Sequence, residues 1–218
     1  MKKFLLTILS GAIICTAAST SFAAVSTGHM QNDSQAYTLT YPIVEVDDKK
    51  VASKINDDIL AQANDLKTQV ENKALGKADM TYYKKYEDKN IVSLLFYVTT
   101  RKRFSGNADL KGYTITYDKH TGQRVPMSKY LNINLAQLQD ALNHSKAYAI
   151  DGLDNGVNLD RQIPYVSDNY FICSDGSIGL LYQPGDLMPE DAGSGKIIVS
   201  LETINKANAE NLAKSTAK

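Results

Sequence analysis

Along this chain the spacing of apolar positions changes character several times, and each change marks an element. From Tyr37 to Val46, the residues Tyr37, Leu39, Tyr41 and Ile43 alternate with Thr38 and Thr40, the period of a half-buried strand. Pro42 has no backbone N–H to give a neighbour, so this strand is expected at a sheet edge. Then Val51, Ile55, Ile59, Ala63, Leu66 and Val70 recur at three- and four-residue spacing. That stripe predicts a helix over Asp48 to Leu75, stopped by Gly76.

Beyond it, Met80 to Tyr86 and Ile91 to Arg103 read as a β-hairpin joined by the polar turn Glu87-Asp88-Lys89-Asn90. Ile91 to Val98 is apolar on both faces, which predicts a central strand covered by a helix on one side. Lys111 to Asp118 supplies a third strand, closed by a turn at His120-Thr121-Gly122. Leu135, Leu138, Leu142 and Ala149 predict a second helix from Asn134 to Ile150, followed by a patternless connection from Asp151 to Ser167. The Asp175-Gly176 pair between Tyr170–Cys173 and Ile178–Tyr182 signals a second hairpin. Lys196 to Leu201 gives a last strand, and the Ala-, Asn- and Lys-rich tail at 203–218 reads as a frayed helix. Residues 24–36, polar and without pattern, read as a flexible lead-in. Hairpins predominate over two convincing helices, so the predicted class is α+β, an antiparallel sheet with helices packed on one side. A division into two small subdomains, 37–123 and 124–202, is left open.

The first 23 residues change the picture of where the chain works. Lys2 and Lys3 precede an apolar run from Phe4 to Ile14, and Ser21-Phe22-Ala23 has the small-x-small pattern of a cleavage site, so a secretory signal peptide is expected. The run is shorter than the roughly 20 residues a bilayer crossing needs, which argues against a permanent membrane anchor. Ile14 stands before Cys15 where a lipidation site takes a small residue. The expected localisation is therefore exported, periplasmic or secreted. Without residues 1–23 the chain keeps 22 basic against 24 acidic residues, a net charge of −2, and nothing points to nucleic acid. One cysteine remains, Cys173, so no internal disulfide can form and stability must come from packing.

Several stretches carry a family resemblance. Tyr41-Pro-Ile-Val-Glu-Val with Lys50-Val-Ala-Ser-Lys-Ile-Asn resembles the opening of bacterial extracytoplasmic modules of the DUF4163/DUF3298 type. Val92-Ser-Leu-Leu-Phe-Tyr, Tyr117-Asp-Lys-His-Thr-Gly-Gln and Tyr170-Phe-Ile-Cys-Ser-Asp-Gly-Ser-Ile-Gly-Leu-Leu-Tyr are similar in the same order. Asp186 to Gly193 resembles the family's turn before its final strand. The resemblance spans residues 37–202. It implies a two-part α+β module without known catalysis, found in cell-envelope proteins and forming the lysozyme-sensing ectodomain of anti-sigma-V factors. Many members carry a Gly-Gly-Ala-His run after the central strand. Here that place reads Ser105-Gly-Asn-Ala, so the histidine's role does not transfer.

A search for catalytic constellations returns little. His29, His120 and His144 lie far apart with no ligand spacing, and Cys173 ends an apolar strand with no basic neighbour in sequence. Gly193-Ser-Gly-Lys196 lacks the first glycine and the Ser/Thr of a phosphate loop. Asp151, Asn155 and Gly156 resemble a calcium loop, but Leu153 and Gln162 occupy ligand positions. No metal and no cofactor are expected. Lys84, Lys85, Arg101, Lys102 and Arg103 could gather across the first hairpin and attract an anionic polymer. The candidate binding segment is the loop Tyr182 to Gly193, with Tyr182, Asp186, Pro189, Glu190 and Asp191. Its prolines and glycines shape the backbone, and its three carboxylates suit a basic partner such as lysozyme. In the competing reading Leu187 and Met188 plug the core and the acids only solubilise the loop. Two functions remain: a non-enzymatic envelope binding or sensing module for lysozyme, another envelope protein or glycan, and a polysaccharide hydrolase using paired carboxylates.

Overall fold

A computed structural model describes residues 24–159 and 162–216. The signal-peptide expectation lies outside the described residues. The chain builds two five-stranded sheets and three helices, an α+β fold. In the first sheet the strands run in sequence order: β1 (Val25–Gln31), β2 (Tyr37–Val44), β3 (Leu75–Glu87), β4 (Ile91–Lys102) and β5 (Ala108–Asp118). All neighbours are antiparallel except β2 and β3, which helix α1 (Lys49–Glu71) connects in parallel. The second sheet follows helix α2 (Leu135–Asn143) and comprises β6 (Ala147–Ile150), β7 (Gly156–Val157), β8 (Tyr170–Ile172), β9 (Ile178–Leu181) and β10 (Lys196–Val199). Its order is β7-β6-β10-β9-β8, antiparallel throughout, and helix α3 (Leu201–Thr216) closes the described chain. No helix among the described residues is long and apolar enough to cross a membrane.

Four local expectations are corrected. The segment read as a flexible lead-in contains β1, which pairs with β2 along its whole length. Five of its seven residues are polar or glycine and only Gly28 is buried, so no alternating pattern announces it. That pairing moves Pro42 off the edge, opposite Thr27. The side chain of Asn56 takes both the N–H (2.8 Å) and the C=O (2.9 Å) of Val44, so even-numbered residues of β2 turn their backbone groups away from β1. On that side β3 pairs only with Tyr37–Leu39, and the missing N–H of Pro42 leaves no partner unsatisfied.

Helix α1 ends at Glu71, before Gly76: Lys73 adopts the left-handed conformation at φ 67° and its N–H returns to Val70 O (3.0 Å). Its start at Asp48 is as expected, the carboxylate capping Lys50 N and Val51 N. Helix α2 opens on a capping box between Asn134 and Gln137 but stops at Asn143. Ser145, at φ 56°, sends its N–H to Leu142 O, and Lys146 N bonds Ala141 O at 2.8 Å, which is a Schellman closure. Ala149, expected on the helix, therefore lies in β6.

Strand β4 is buried on both faces, as its composition predicts. Val92, Leu94, Phe96 and Val98 face Ile55, Ile59 and Ala63 of α1. The opposite face meets the second sheet, where the Ser93 hydroxyl accepts the Ile172 N–H at 3.0 Å and bonds Thr116 Oγ1 at 3.0 Å. The outer edge of β5 is closed by side-chain amides. Asn169 and Gln183 both donate to Gly112 O (3.1 and 2.7 Å), and Gln183 Oε1 accepts Gly112 N–H. A Cβ at Gly112 would come within 2.8 Å of Leu181, so only glycine lets the second sheet approach this closely. Edge groups that would otherwise invite another strand are thereby satisfied.

Candidate functional site

The loop between β9 and β10 is held at both ends before it reaches solvent. Tyr182 is fully buried; its N–H bonds Gly195 O and its hydroxyl donates to Tyr165 O at 2.9 Å. Tyr165 in turn donates to Asp186 Oδ2 at 2.5 Å, and the same oxygen accepts Gln183 N–H at 3.0 Å. Burial of the Tyr165 phenol, with the Asp186 hydrogen bond and charge, pushes its pKa far up, so this hydroxyl stays a donor. Leu187 and Met188 are core residues of the second sheet. Pro189 leads into a single 3₁₀ turn at Glu190–Ala192, and Gly193 leaves it at φ 76°, a conformation glycine adopts freely.

The five candidate residues thus divide by role. Tyr182 and Asp186 build the loop, whereas Pro189, Glu190 and Asp191 are exposed on it. Both halves of the competing reading of Leu187 and Met188 as plugs meet here, because the plugs are what fix the acids in place. Glu190 stands between two clefts. One, of about 430 Å³, is lined by Asn158, Leu159, Leu187, Met188 and Pro189; the other, of about 180 Å³, by Ala108–Lys111, Gln183 and Pro184.

A larger groove, about 510 Å³, runs between α1 and the uncovered part of β4 and β5, and the sequence gave no sign of it. One end is shut by a latch: Arg124 donates from Nε and a terminal nitrogen to the two oxygens of Asp58 (2.7 and 2.9 Å), and the buried Tyr117 hydroxyl adds a third bond at 2.6 Å. Partial desolvation acts to raise the Asp58 pKa, but the hydrogen bonds from Arg124 and Tyr117 and the guanidinium charge hold it below the ordinary value. Its partners lie 59 and 66 residues away, a separation no local pattern encodes.

Hydrolysis by paired carboxylates needs one carboxyl held neutral as the acid. Each described carboxyl group with a resolved shift moves the other way. Hydrogen bonds from Asn155 and Ser177 lower Asp151 and Asp175, and in Asp58 and Asp118 hydrogen bonds outweigh desolvation. Asp58 and Asp65 share the groove, but seven helical positions separate their Cα atoms by roughly 10 Å along the axis. The calcium-like segment is an Asx turn in which Asp151 accepts Leu153 N and Asn155 N, and no metal-holding group of His, Cys, Asp or Glu occurs among the described residues. His29 bonds Thr40 and Gln31, His120 bonds Asn90, and His144 bonds back to Asp140. Burial pushes the Cys173 thiol up, against smaller downward effects of Ser177 and Lys85.

The proposed cationic cluster is split. Lys84 lies opposite Leu94 and Arg101 opposite Lys77, so seven residues of β4, roughly 23 Å, separate the two groups. Lys84 is paired with Glu87 at 2.7 Å, and Lys85 lies over the Phe171 ring.

The sequence matches no family model and no curated protein. Its fold does have counterparts. A crystal structure of a DUF3298 family protein from Pseudomonas aeruginosa superposes with TM-score 0.55 at 12% identity, over 84% of this chain and 91% of that one. A DUF3298 member from Bacteroides fragilis gives TM-score 0.46 at 11% identity over 84% and 90%, too loose a likeness to support argument. Structural neighbours of this chain are thus DUF3298 family proteins, and it shares the fold of the first of them.

Proposed function

We propose that this chain is an exported, non-enzymatic binding module of the cell envelope, and that the loop 182–193 receives a basic protein such as lysozyme. The observation that carries the reading is the division of labour within that loop. Tyr165, Asp186 and the buried Leu187 and Met188 fix its backbone, and Glu190 and Asp191 project from the fixed turn beside two clefts. A preset acidic surface raises association rates for a cationic partner without an ordering penalty on binding. Envelope glycan is the other ligand class of this reading.

The test is association kinetics with lysozyme across salt concentrations, comparing the protein with the double variant Glu190→Gln, Asp191→Asn. The variant is expected to associate more slowly with a flatter salt response. An unchanged rate and slope removes the loop as the site. Intact mass of the exported protein tests the other half: the expected form begins at Ala24 without lipid, and a retained, acylated Cys15 contradicts it.

A further inference from the structure

At the β4–β5 turn the chain does something its core does not need. Phe104 is 96% exposed, held at φ 66° on the tip of the hairpin, where Ser105 N closes a turn on Lys102 O. A left-handed phenylalanine in full solvent is unfavourable on both counts. Arg103 stacks its guanidinium 4.9 Å from the ring centroid, and Arg101 and Lys102 precede it, all exposed. Lys73 sits two residues beyond the Leu75–Lys102 pair at the same end of the sheet. The flanking acids Glu71, Asp79 and Asp109 are each paired with a lysine, Lys67, Lys77 and Lys111. Lys73, Arg101, Lys102 and Arg103 have no ion-pair partner among the described residues. Glu190 borders the cleft beside Ala108–Lys111 at the base of this hairpin, and no ion pair joins it to these cations.

We propose that this hairpin end is a peripheral docking site for an anionic phospholipid surface, with Phe104 seated at the headgroup boundary inside a collar of four cations. Two independent features select that partner. The unpaired cations complement a negative surface, and the aromatic tip has no apolar pocket of its own to fill. A soluble polyanion would use the charges and leave the ring in water, whereas a bilayer interface takes both. The proposal is independent of the acidic loop and of its partner.

Co-sedimentation with vesicles tests it. Vesicles of phosphatidylcholine with one quarter phosphatidylglycerol are expected to take up the protein, and pure phosphatidylcholine vesicles are not. Each basic residue near such a surface strengthens binding roughly fivefold, so the triple variant Arg101→Gln, Lys102→Gln, Arg103→Gln should bind roughly a hundredfold more weakly. Phe104→Ala should weaken vesicle binding severalfold and leave binding of soluble polyphosphate unchanged. The chain has no tryptophan, so Phe104→Trp installs a single reporter whose emission should shift to the blue on mixing with the anionic vesicles. Equal binding to neutral vesicles, full binding by Phe104→Ala, or no spectral shift from a vesicle-bound Phe104→Trp each overturns the proposal.

Discussion

The hydroxyl of Ser93 on the central strand of the first sheet accepts the backbone N–H of Ile172 on the edge strand of the second, at 3.0 Å and wholly out of solvent. Strand β8 has β9 on one side, and on the other this hydrogen bond stands in for a ladder partner. Ser93→Ala leaves a buried N–H without an acceptor and Thr116 without its partner. Urea unfolding should show a loss of about 1–3 kcal/mol. A loss below about 0.5 kcal/mol would mean that water reaches the Ile172 amide.

Asp58 gives a prediction with a pH window. Its pKa is depressed in the folded protein, so its ionised form contributes stability that is present above the ordinary value of 3.8 and lost as pH falls through the lower folded value. Asp58→Asn should narrow the stability gap to the parent between pH 5 and pH 2. Asp58→Ala strands the buried Tyr117 hydroxyl and should cost about 1–3 kcal/mol at pH 7, more than the Asn variant. Equal midpoints for the two variants would show that the Tyr117 bond contributes nothing.

Asp186 should behave as a builder of the loop, in contrast to Glu190 and Asp191. Asp186→Ala frees both the Tyr165 hydroxyl and Gln183 N–H, so hydrogen exchange at Gln183 should quicken while the core amides of β9 keep their protection. Asp186→Asn retains an acceptor and should fall between. If exchange at Gln183 is unaltered in the Ala variant, the loop is fixed by Leu187 and Met188 alone.

Ser145 occupies a left-handed position at the end of α2 and gains nothing from its side chain there. Ser145→Gly should stabilise by about 0.5–1 kcal/mol in thermal unfolding, because glycine adopts positive φ without the Cβ clash. No gain would mean the Schellman closure is relaxed in solution.

Cys173 should react slowly with thiol reagents at pH 8, since burial raises its pKa above the ordinary 9.0. Cys173→Ala should lower stability by about 1 kcal/mol and leave partner binding intact. Loss of binding with the fold preserved would give the thiol a further role.

By itself the sequence determined the elements whose signal is local. The α1 stripe ending in Val70, the two-faced apolar run of β4, the Asp175-Gly176 hairpin and the α+β class all follow from side chains that repeat with the backbone's own period. It also marked the loop 182–193 through its prolines, glycines and acids. Only the tertiary structure decided what depends on partners far along the chain. β1 has no apolar face to betray it and exists because β2 offers an open edge. Ala149 joins a strand because Ser145 turns the chain back first. Arg124 and Tyr117 meet Asp58 across 66 and 59 residues, and Lys84 parts from Arg101 because a hairpin's register, not its composition, sets which charges share an end. Periodicity reports how one segment meets the core, whereas a site is a set of separations between segments, and those are fixed only when the sheets have packed.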